Sequence, residues 1–219
     1  MKILFQGDSI TDANRFNDLE YLGYGYVRLV KEELNSDVII NRGISGDRTN
    51  EVLKRYHKDI CLIDFDVIFI LLGINDVWHH FALNNKTNIN TIKSNYEQIL
   101  KNIKNDKPNA QIVLITPFAY PSNIFLKEWF SFLNEVKEEI VNLSKKYQSY
   151  LIEMQELLDN NLNDFSELEI LHDGVHPTSF GHNIIKTEII KVIKTIKKNF
   201  DRKFLDVILL NNYIYGKIF

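Results

Sequence analysis

The segment Val67-Ile68-Phe69-Ile70-Leu71-Leu72-Gly73-Ile74-Asn75-Asp76 decides the fold. Six apolar residues follow one another without polar alternation, and the run ends at a glycine followed by polar side chains. A continuous apolar run of this length is typical of a strand that is buried on both faces of a parallel sheet. Such a strand needs similar neighbours and covering helices, so we expect both elsewhere in the chain.

Further apolar runs of the same kind occur along the chain and alternate with longer amphipathic stretches. Together with the first segment, the predicted strands are 3–6, 38–41, 67–72, 112–116 and 150–153. The predicted helices are 25–35, 50–60, 89–104, 126–146 and 179–198. This order predicts a doubly wound α/β sheet with helices on both faces.

Composition narrows the class of protein. The chain has 219 residues, 45% of them hydrophobic, which suits one domain with a full core. A net charge of −3 gives no electrostatic reason to expect nucleic acid or an anionic membrane as a partner. Cys61 is the single cysteine, so no internal disulfide can form. The N-terminal residues leave no room for a signal peptide before Ser9, so we expect a cytoplasmic protein.

Loops follow the first four predicted strands, and glycine occurs in three of these loops. They begin at Gly7, Gly43, Gly73 and Thr116. The carboxyl ends of parallel strands meet at one edge of such a sheet, where sites form. The four loops are therefore expected to converge.

The converging loops contain the parts of an acyl-transfer site. Ser9 follows a strand and a glycine, and Asp173 and His176 stand three residues apart, as an acid and the base that it orients. The amides of Ser9 and Gly46 and the side chain of Asn75 would be donors to an oxyanion. Each feature alone is a common turn, cap or surface pair, whereas the spaced set predicts a serine hydrolase.

Other residues near these loops are candidates for contact with the substrate or with a metal ion. We expect Trp78, Arg48 and Tyr120 to contact the substrate because they lie on neighbouring loops. A metal site is an alternative use of His172, Asp173 and His176, with His79 and His80 as further ligands. It would leave the Gly-Asp-Ser and Asn loops unexplained, so no metal is predicted.

Four separated blocks occur in the chain: Gly7-Asp8-Ser9, Gly46, Gly73-Ile74-Asn75-Asp76 and Asp173-Gly174-Val175-His176. In order and separation they resemble the blocks of the SGNH (GDSL) hydrolases, over residues 2–198. The resemblance implies a three-layer flavodoxin-like sandwich over residues 1–200, with a mainly parallel five-stranded sheet flanked by helices and without metal or organic cofactor. It also implies Ser9 as nucleophile, Asp173 and His176 as acid and base, and Ser9, Gly46 and Asn75 as the oxyanion hole.

A narrower resemblance is carried by four segments: Ser9-Ile10-Thr11-Asp12, Leu22-Gly23-Tyr24-Gly25-Tyr26-Val27, Gly73-Ile74-Asn75-Asp76-Val77-Trp78 and Thr116-Pro117-Phe118. They are similar to the intracellular acetylxylan esterase branch. That similarity implies removal of acetyl groups from imported xylo-oligosaccharides and a homo-oligomer. The alternatives are a lysophospholipase or thioesterase with the same triad, and a non-catalytic carbohydrate-binding protein.

Residues 201–219 form a C-terminal extension with an apolar sequence. A hairpin that turns at Asn211-Asn212 is one interpretation. We favour a packing or subunit-contact segment, because an exposed apolar run would promote aggregation. Attachment to a membrane is not expected, because the run is short and lacks a basic face.

Overall fold

The computed structural model describes the backbone of residues 1–215 and the side chains of residues 1–202. Its five strands form a single parallel sheet in the order β2-β1-β3-β4-β5. The strands are β1 (Lys2–Gly7), β2 (Val38–Asn41), β3 (Val67–Leu71), β4 (Gln111–Ile115) and β5 (Tyr150–Ile152). The predicted α/β fold with a parallel five-stranded sheet is confirmed.

Nine α-helices connect and flank the strands within residues 1–215. They are α1 (Ser9–Asp12), α2 (Tyr26–Glu33), α3 (Thr49–Tyr56), α4 (Ile74–Ala82), α5 (Ile89–Asp106), α6 (Phe130–Lys146), α7 (Met154–Asp159), α8 (Glu167–Ile170) and α9 (Ser179–Tyr215). Helices α2 and α9 pack together, and α5 packs between α3 and α6. The strand order reverses after β2, which places these two groups on opposite faces of the sheet.

The core lies between the sheet and the two helical layers. Every residue of β3 is buried, as expected for a central strand covered on both faces. Helix α6 buries Leu133, Val136, Ile140 and Leu143, whose spacing places them on one face of the helix. This packing fixes the carboxyl ends of the strands, where the loops identified above begin.

Three elements differ from the sequence-based expectation. The loop expected after β3 is the first turn of helix α4, which begins directly after Gly73. Helix α3 ends in a π-helical turn, His57–Cys61, instead of continuing as a regular helix. Helix α9 runs to Tyr215, so the hairpin at Asn211-Asn212 is wrong; no glycine or proline interrupts residues 182–215.

We expect the C-terminal extension to pack on the domain or to contact another subunit. This expectation concerns side chains beyond residue 202, which lie outside the described residues, so it stays a prediction. Within the described residues, no helix has both the length and the hydropathy that spanning a bilayer requires.

Candidate active site

Ser9 stands where β1 turns into helix α1. Strand β1 ends at Gly7, and Asp8 caps the short helix by accepting a hydrogen bond from the Ile10 N–H at 3.0 Å. A side chain at position 7 would lie 2.1 Å from Thr11 Oγ1 and 2.8 Å from the Leu71 carbonyl oxygen, so only glycine fits. The strand and the cap together hold the Ser9 hydroxyl at the edge of the sheet.

The structure brings Ser9, His176 and Asp173 into one hydrogen-bonded chain. Ser9 Oγ lies 3.0 Å from His176 Nε2, and His176 Nδ1 lies 2.7 Å from Asp173 Oδ2. Asp173 cannot donate when ionised, so Nδ1 carries the proton and Nε2 is free to accept one from the serine. This is the arrangement of a nucleophile, its general base and the group that orients the base.

Local backbone geometry holds Asp173 against His176. Asp173 Oδ1 accepts the N–H groups of Val175 at 2.9 Å and His176 at 2.8 Å. Partial burial alone would raise the pKa of Asp173, but hydrogen bonds from the His176 backbone and ring and from Val175 outweigh it and lower that pKa. Gly174 makes this turn at φ +89°, and a Cβ there would lie 2.7 Å from the Tyr120 carbonyl oxygen.

One backbone amide in the loop after β2 has no acceptor in the described part of the chain. The flanking N–H groups in this loop all have acceptors: Ile44 on the Gly7 carbonyl, Ser45 on Asp12, Asp47 on the Ile44 carbonyl, Arg48 on Glu51 and Thr49 on Asp76. In the hydrogen bonds of the described residues, the Gly46 N–H has no acceptor, and neither has the Ser9 N–H. Gly46 adopts φ +82°, and no atom lies within 4 Å of the position where its Cβ would be.

Asn75 stands in the first turn of α4 and is buried. Its Nδ2 donates one hydrogen bond, 3.1 Å long, to the Asp47 carbonyl oxygen. A primary amide has two N–H donors, so the second remains for a ligand. The next residue, Asp76, accepts the Thr49 N–H at 3.0 Å and the Thr49 hydroxyl at 2.8 Å, which ties α4 to the start of α3. Ser9, Gly46 and Asn75 thus supply three donors at one edge of the sheet.

Two carboxyl groups beneath these loops are almost fully buried. Burial raises the pKa of Asp8 to about 7 and that of Asp76 to about 6. Backbone hydrogen bonds from Ile10 and Thr49 oppose these shifts without cancelling them. Both side chains accept backbone amides, and neither is hydrogen-bonded to a triad side chain, so we assign them to loop structure.

The cavity at Ser9 has a volume of about 360 Å³ and a predominantly polar set of lining side chains. It is lined by Ser9, Ile10, Ala13, Asn14, Tyr24, Ser45, His172, His176, Pro177 and His182. Tyr24 is 63% exposed, so much of this residue is accessible to a ligand. His182 accepts the Tyr26 N–H through Nδ1, and burial lowers its pKa to about 4.

The three residues expected to contact the substrate do not line this cavity. Arg48 binds the Glu51 carboxylate at 2.9 and 2.7 Å, so its charge is already paired. Tyr120 is only 4% exposed and packs in the core. The half-buried Trp78 ring packs 5.9 Å from His176 and 6.3 Å, edge to face, from Phe125. Position on a loop does not by itself indicate the direction of a side chain, so contact of these three residues with a substrate stays a prediction.

The ligand atoms of His172, Asp173 and His176 lie within 4.8 Å of one another, close enough to share a metal ion. Both ring nitrogens of His176 are engaged, one with Ser9 and one with Asp173. His176 therefore has no lone pair for a metal while the triad is assembled. His80 accepts the Thr87 N–H through Nδ1 at 3.2 Å. Neither His79 nor His80 belongs to the cluster in the described part of the chain.

Sequence reasoning missed several residues of the cavity. Tyr24 lies in a segment with no catalytic motif of its own, and Asn14 follows α1 in a left-handed conformation that Asn tolerates. His172 precedes Asp173, and its ring stacks on His176 with centroids 5.9 Å apart. His182 comes from α9, and no local pattern marks it as a neighbour of Ser9.

Comparisons with known proteins agree with this geometry. The model of the GDSL-like lipase/acylhydrolase family matches residues 5–184. An acetylxylan esterase from Geobacillus stearothermophilus is 27% identical over 205 residues, which are 88% of this chain and 93% of that protein.

Two solved structures are similar over most of their length. A GDSL-like lipase from Parabacteroides merdae is 29% identical, with a TM-score of 0.81 over 85% of this chain and 92% of that one. The acetylxylan esterase Axe2 from Geobacillus stearothermophilus is 25% identical, with a TM-score of 0.77 over 87% and 92%. Solved structures of Axe2 include catalytic mutants at a serine and at a histidine.

Proposed function

The chain belongs to the GDSL-like lipase/acylhydrolase family and is a carboxylic ester hydrolase, and we propose that it removes acetyl groups from xylo-oligosaccharides or other acetylated sugars. The observation that carries the mechanism is the chain of hydrogen bonds from Ser9 through His176 to Asp173, at 3.0 and 2.7 Å. The acetylated sugar is supported by the similarity to an acetylxylan esterase and by the lining of the cavity.

The proposed reaction proceeds in two halves. Ser9 Oγ attacks the ester carbonyl carbon while His176 Nε2 takes the serine proton, and Asp173 stabilises the imidazolium. The negative charge on the carbonyl oxygen meets the Ser9 and Gly46 amides and the free N–H of Asn75. His176 then gives the proton to the sugar oxygen, the C–O bond breaks, and an acetyl group remains on Ser9. Water, deprotonated by His176, releases acetate and restores the serine.

The lining of the cavity suits a polar leaving group. Asn14, Ser45 and His172 offer hydrogen-bonding groups, and the exposed Tyr24 is available for stacking on a sugar ring. A long acyl chain would need an apolar channel next to Ser9, whereas most of the lining residues are polar. This contrast favours the acetylesterase over the lysophospholipase or thioesterase.

The test measures acetate release from acetylated xylo-oligosaccharides and hydrolysis of p-nitrophenyl acetate and octanoate. We expect preference for acetyl over octanoyl esters, and labelling of the Ser9 peptide by a fluorophosphonate. Ser9→Ala should abolish turnover and labelling, whereas Ser45→Ala, a second serine of the cavity, should keep the label. Faster hydrolysis of octanoate would favour the lipid or thioester alternative. No turnover of any activated ester would favour a non-catalytic carbohydrate-binding protein.

We also propose a cytoplasmic location and a short, soluble oligosaccharide as substrate. The single cysteine, which allows no internal disulfide, supports this compartment. Cell fractionation followed by immunodetection is the direct test, and recovery in the culture medium would contradict it.

A further inference from the structure

A second cavity borders the loop that carries Gly46. Its volume is about 280 Å³, and it meets the loop at Ile44, whereas the active-site cavity meets the same loop at Ser45. Apolar and aromatic side chains, Ile44, Phe16 and Tyr21, form part of its lining, and the other five lining residues are four cations and one carboxylate: Arg15, Arg42, Arg55, Lys58 and Asp59. We call it the anion pocket.

Two of the cations already have protein partners. Arg15 donates from Nε to the Gly43 carbonyl oxygen at 2.6 Å and lies 4.0 Å from Asp12. Arg55 binds the Asp47 carboxylate, and its Nε donates to Asp59 at 2.8 Å. The one carboxylate of the lining is thus engaged by Arg55 and does not neutralise the remaining cations.

The other two cations lack partners. In the described part of the chain, Arg42 Nε is buried and has no hydrogen-bond acceptor, and Lys58 has neither a hydrogen bond nor an ion pair. A buried donor of a charged group that is left without an acceptor costs about 1–3 kcal/mol or more, so such groups are normally satisfied by protein, water or a ligand. Arg42 lines this cavity, and its unpartnered donor is available to an anionic ligand.

Two further features distinguish the site from an ordinary surface ion-pair network. Burial lowers the pKa of the Arg15 guanidinium, the carboxylates of Asp12 and Asp59 oppose that shift, and the positive charges of Arg42 and Arg55 add to it. Lys58 and Asp59 lie in the π-helical turn His57–Cys61, a rare distortion that is common at functional sites. A regular continuation of α3 would direct these two side chains differently.

We propose that the anion pocket binds phosphate, either as the free ion or as the phosphoryl group of a small phosphomonoester. The tetrahedral anion has enough acceptor oxygens to engage the Arg42 guanidinium and the Lys58 ammonium at once. Its negative charge offsets the excess of cations over the carboxylates of Asp12, Asp47 and Asp59. This site is separate from the triad and does not depend on the esterase assignment.

The test is isothermal titration of the full chain with inorganic phosphate and, separately, with glucose 6-phosphate, at constant ionic strength. We expect saturable binding of phosphate that chloride does not reproduce. Arg42→Gln should raise the Kd at least tenfold and Lys58→Gln severalfold. Lys54→Gln, which removes the same charge from an exposed position on α3 outside the pocket, should change the Kd less than twofold.

The arms of the experiment separate the possible outcomes. Equal affinity for both ligands would identify the phosphoryl group as the recognised unit, and tighter binding of glucose 6-phosphate would identify a phosphomonoester as the ligand. Because Lys58 is exposed, the Lys58→Gln variant should fold. It therefore tests the proposal even if the Arg42→Gln variant does not fold. The absence of saturable phosphate binding, or equal Kd values in Lys58→Gln and Lys54→Gln, would overturn the proposal.

Discussion

Replacing Asn75 with alanine separates a role in the transition state from a role in the fold. The side chain makes one hydrogen bond to the protein, 3.1 Å from Nδ2 to the Asp47 carbonyl oxygen, and its second N–H is free. The first bond stabilises the loop in every state of the reaction. The second donor gains its partner only when charge develops on the carbonyl oxygen of the substrate.

The two roles predict two separate magnitudes. Loss of an oxyanion donor costs about 2.7–4 kcal/mol, which lowers kcat about 10²–10³-fold and leaves KM nearly unchanged. Loss of the bond to Asp47 leaves a buried carbonyl without its donor and should lower the free energy of unfolding by about 1–3 kcal/mol. Both effects should appear together in Asn75→Ala.

Thr49→Val is the matched control. It removes the 2.8 Å hydrogen bond from the Thr49 hydroxyl to Asp76, at the same junction of α3 and α4, without removing an oxyanion donor. Steady-state kinetics on p-nitrophenyl acetate and urea denaturation of both variants give kcat, KM and stability. We expect both variants to lose stability and only Asn75→Ala to lose kcat a hundredfold. A kcat within about threefold of the parent in folded Asn75→Ala would refute the oxyanion role.

Three further predictions follow from the site and its surroundings. Tyr24→Ala should lower kcat/KM for acetylated xylo-oligosaccharides about tenfold more than kcat/KM for p-nitrophenyl acetate. Trp78→Ala, which removes packing against His176, should lower kcat/KM for the two substrates equally. Equal losses on the two substrates in Tyr24→Ala would show that Tyr24 does not bind the sugar. Burial raises the pKa of Asp8 to about 7, above its value of about 3.9 when unfolded, so the folded state holds this proton more tightly and stability falls as pH rises from about 4 to 7. The free energy of unfolding of Asp8→Asn, measured by urea denaturation, should therefore rise by about 2–3 kcal/mol relative to that of the parent as the pH is raised from 5 to 8. A difference in stability between the two proteins that does not change with pH would contradict the shifted pKa. We propose that the chain self-associates through residues 201–219; a chain that ends at residue 200 should then keep ester hydrolysis and sediment as a smaller species than the parent, and an unchanged oligomeric state would exclude the extension as a subunit contact.

The sheet was predictable from sequence because burial on both faces leaves continuous apolar runs, as in β3 and β4. The start of α4 was not, because Gly73 and Asn75 are common in loops and the helix has only nine residues. The hairpin at Asn211-Asn212 failed for a related reason, since a pair of turn-forming residues does not end a helix that lacks a breaker.

The triad was predictable because its residues stand in short, spaced blocks, but the direction of the other loop side chains was not. The i, i+3 spacing of Arg48 and Glu51 was a readable signal that the arginine would pair locally. The burial of Tyr120 depends on a distant contact, in which its backbone N–H donates to the Gly174 carbonyl at 2.7 Å. His182 reaches the cavity from α9, and such a long-range approach leaves no trace in a local pattern.

The donors that we propose for the oxyanion are free because their neighbours are satisfied. Around Gly46, Asp12 accepts the Ser45 N–H and Asp76 accepts the Thr49 N–H, so the loop cannot rotate its one remaining amide inward without breaking these bonds. Beside Ser9, Asp8 likewise accepts the Ile10 N–H. Burying these carboxylates lowers the stability of the fold, as the raised pKa values of Asp8 and Asp76 indicate. This loss of stability occurs on folding and not during the reaction. Donors fixed in this way need no reorganisation when negative charge appears on the substrate, which is the condition under which they stabilise a transition state most.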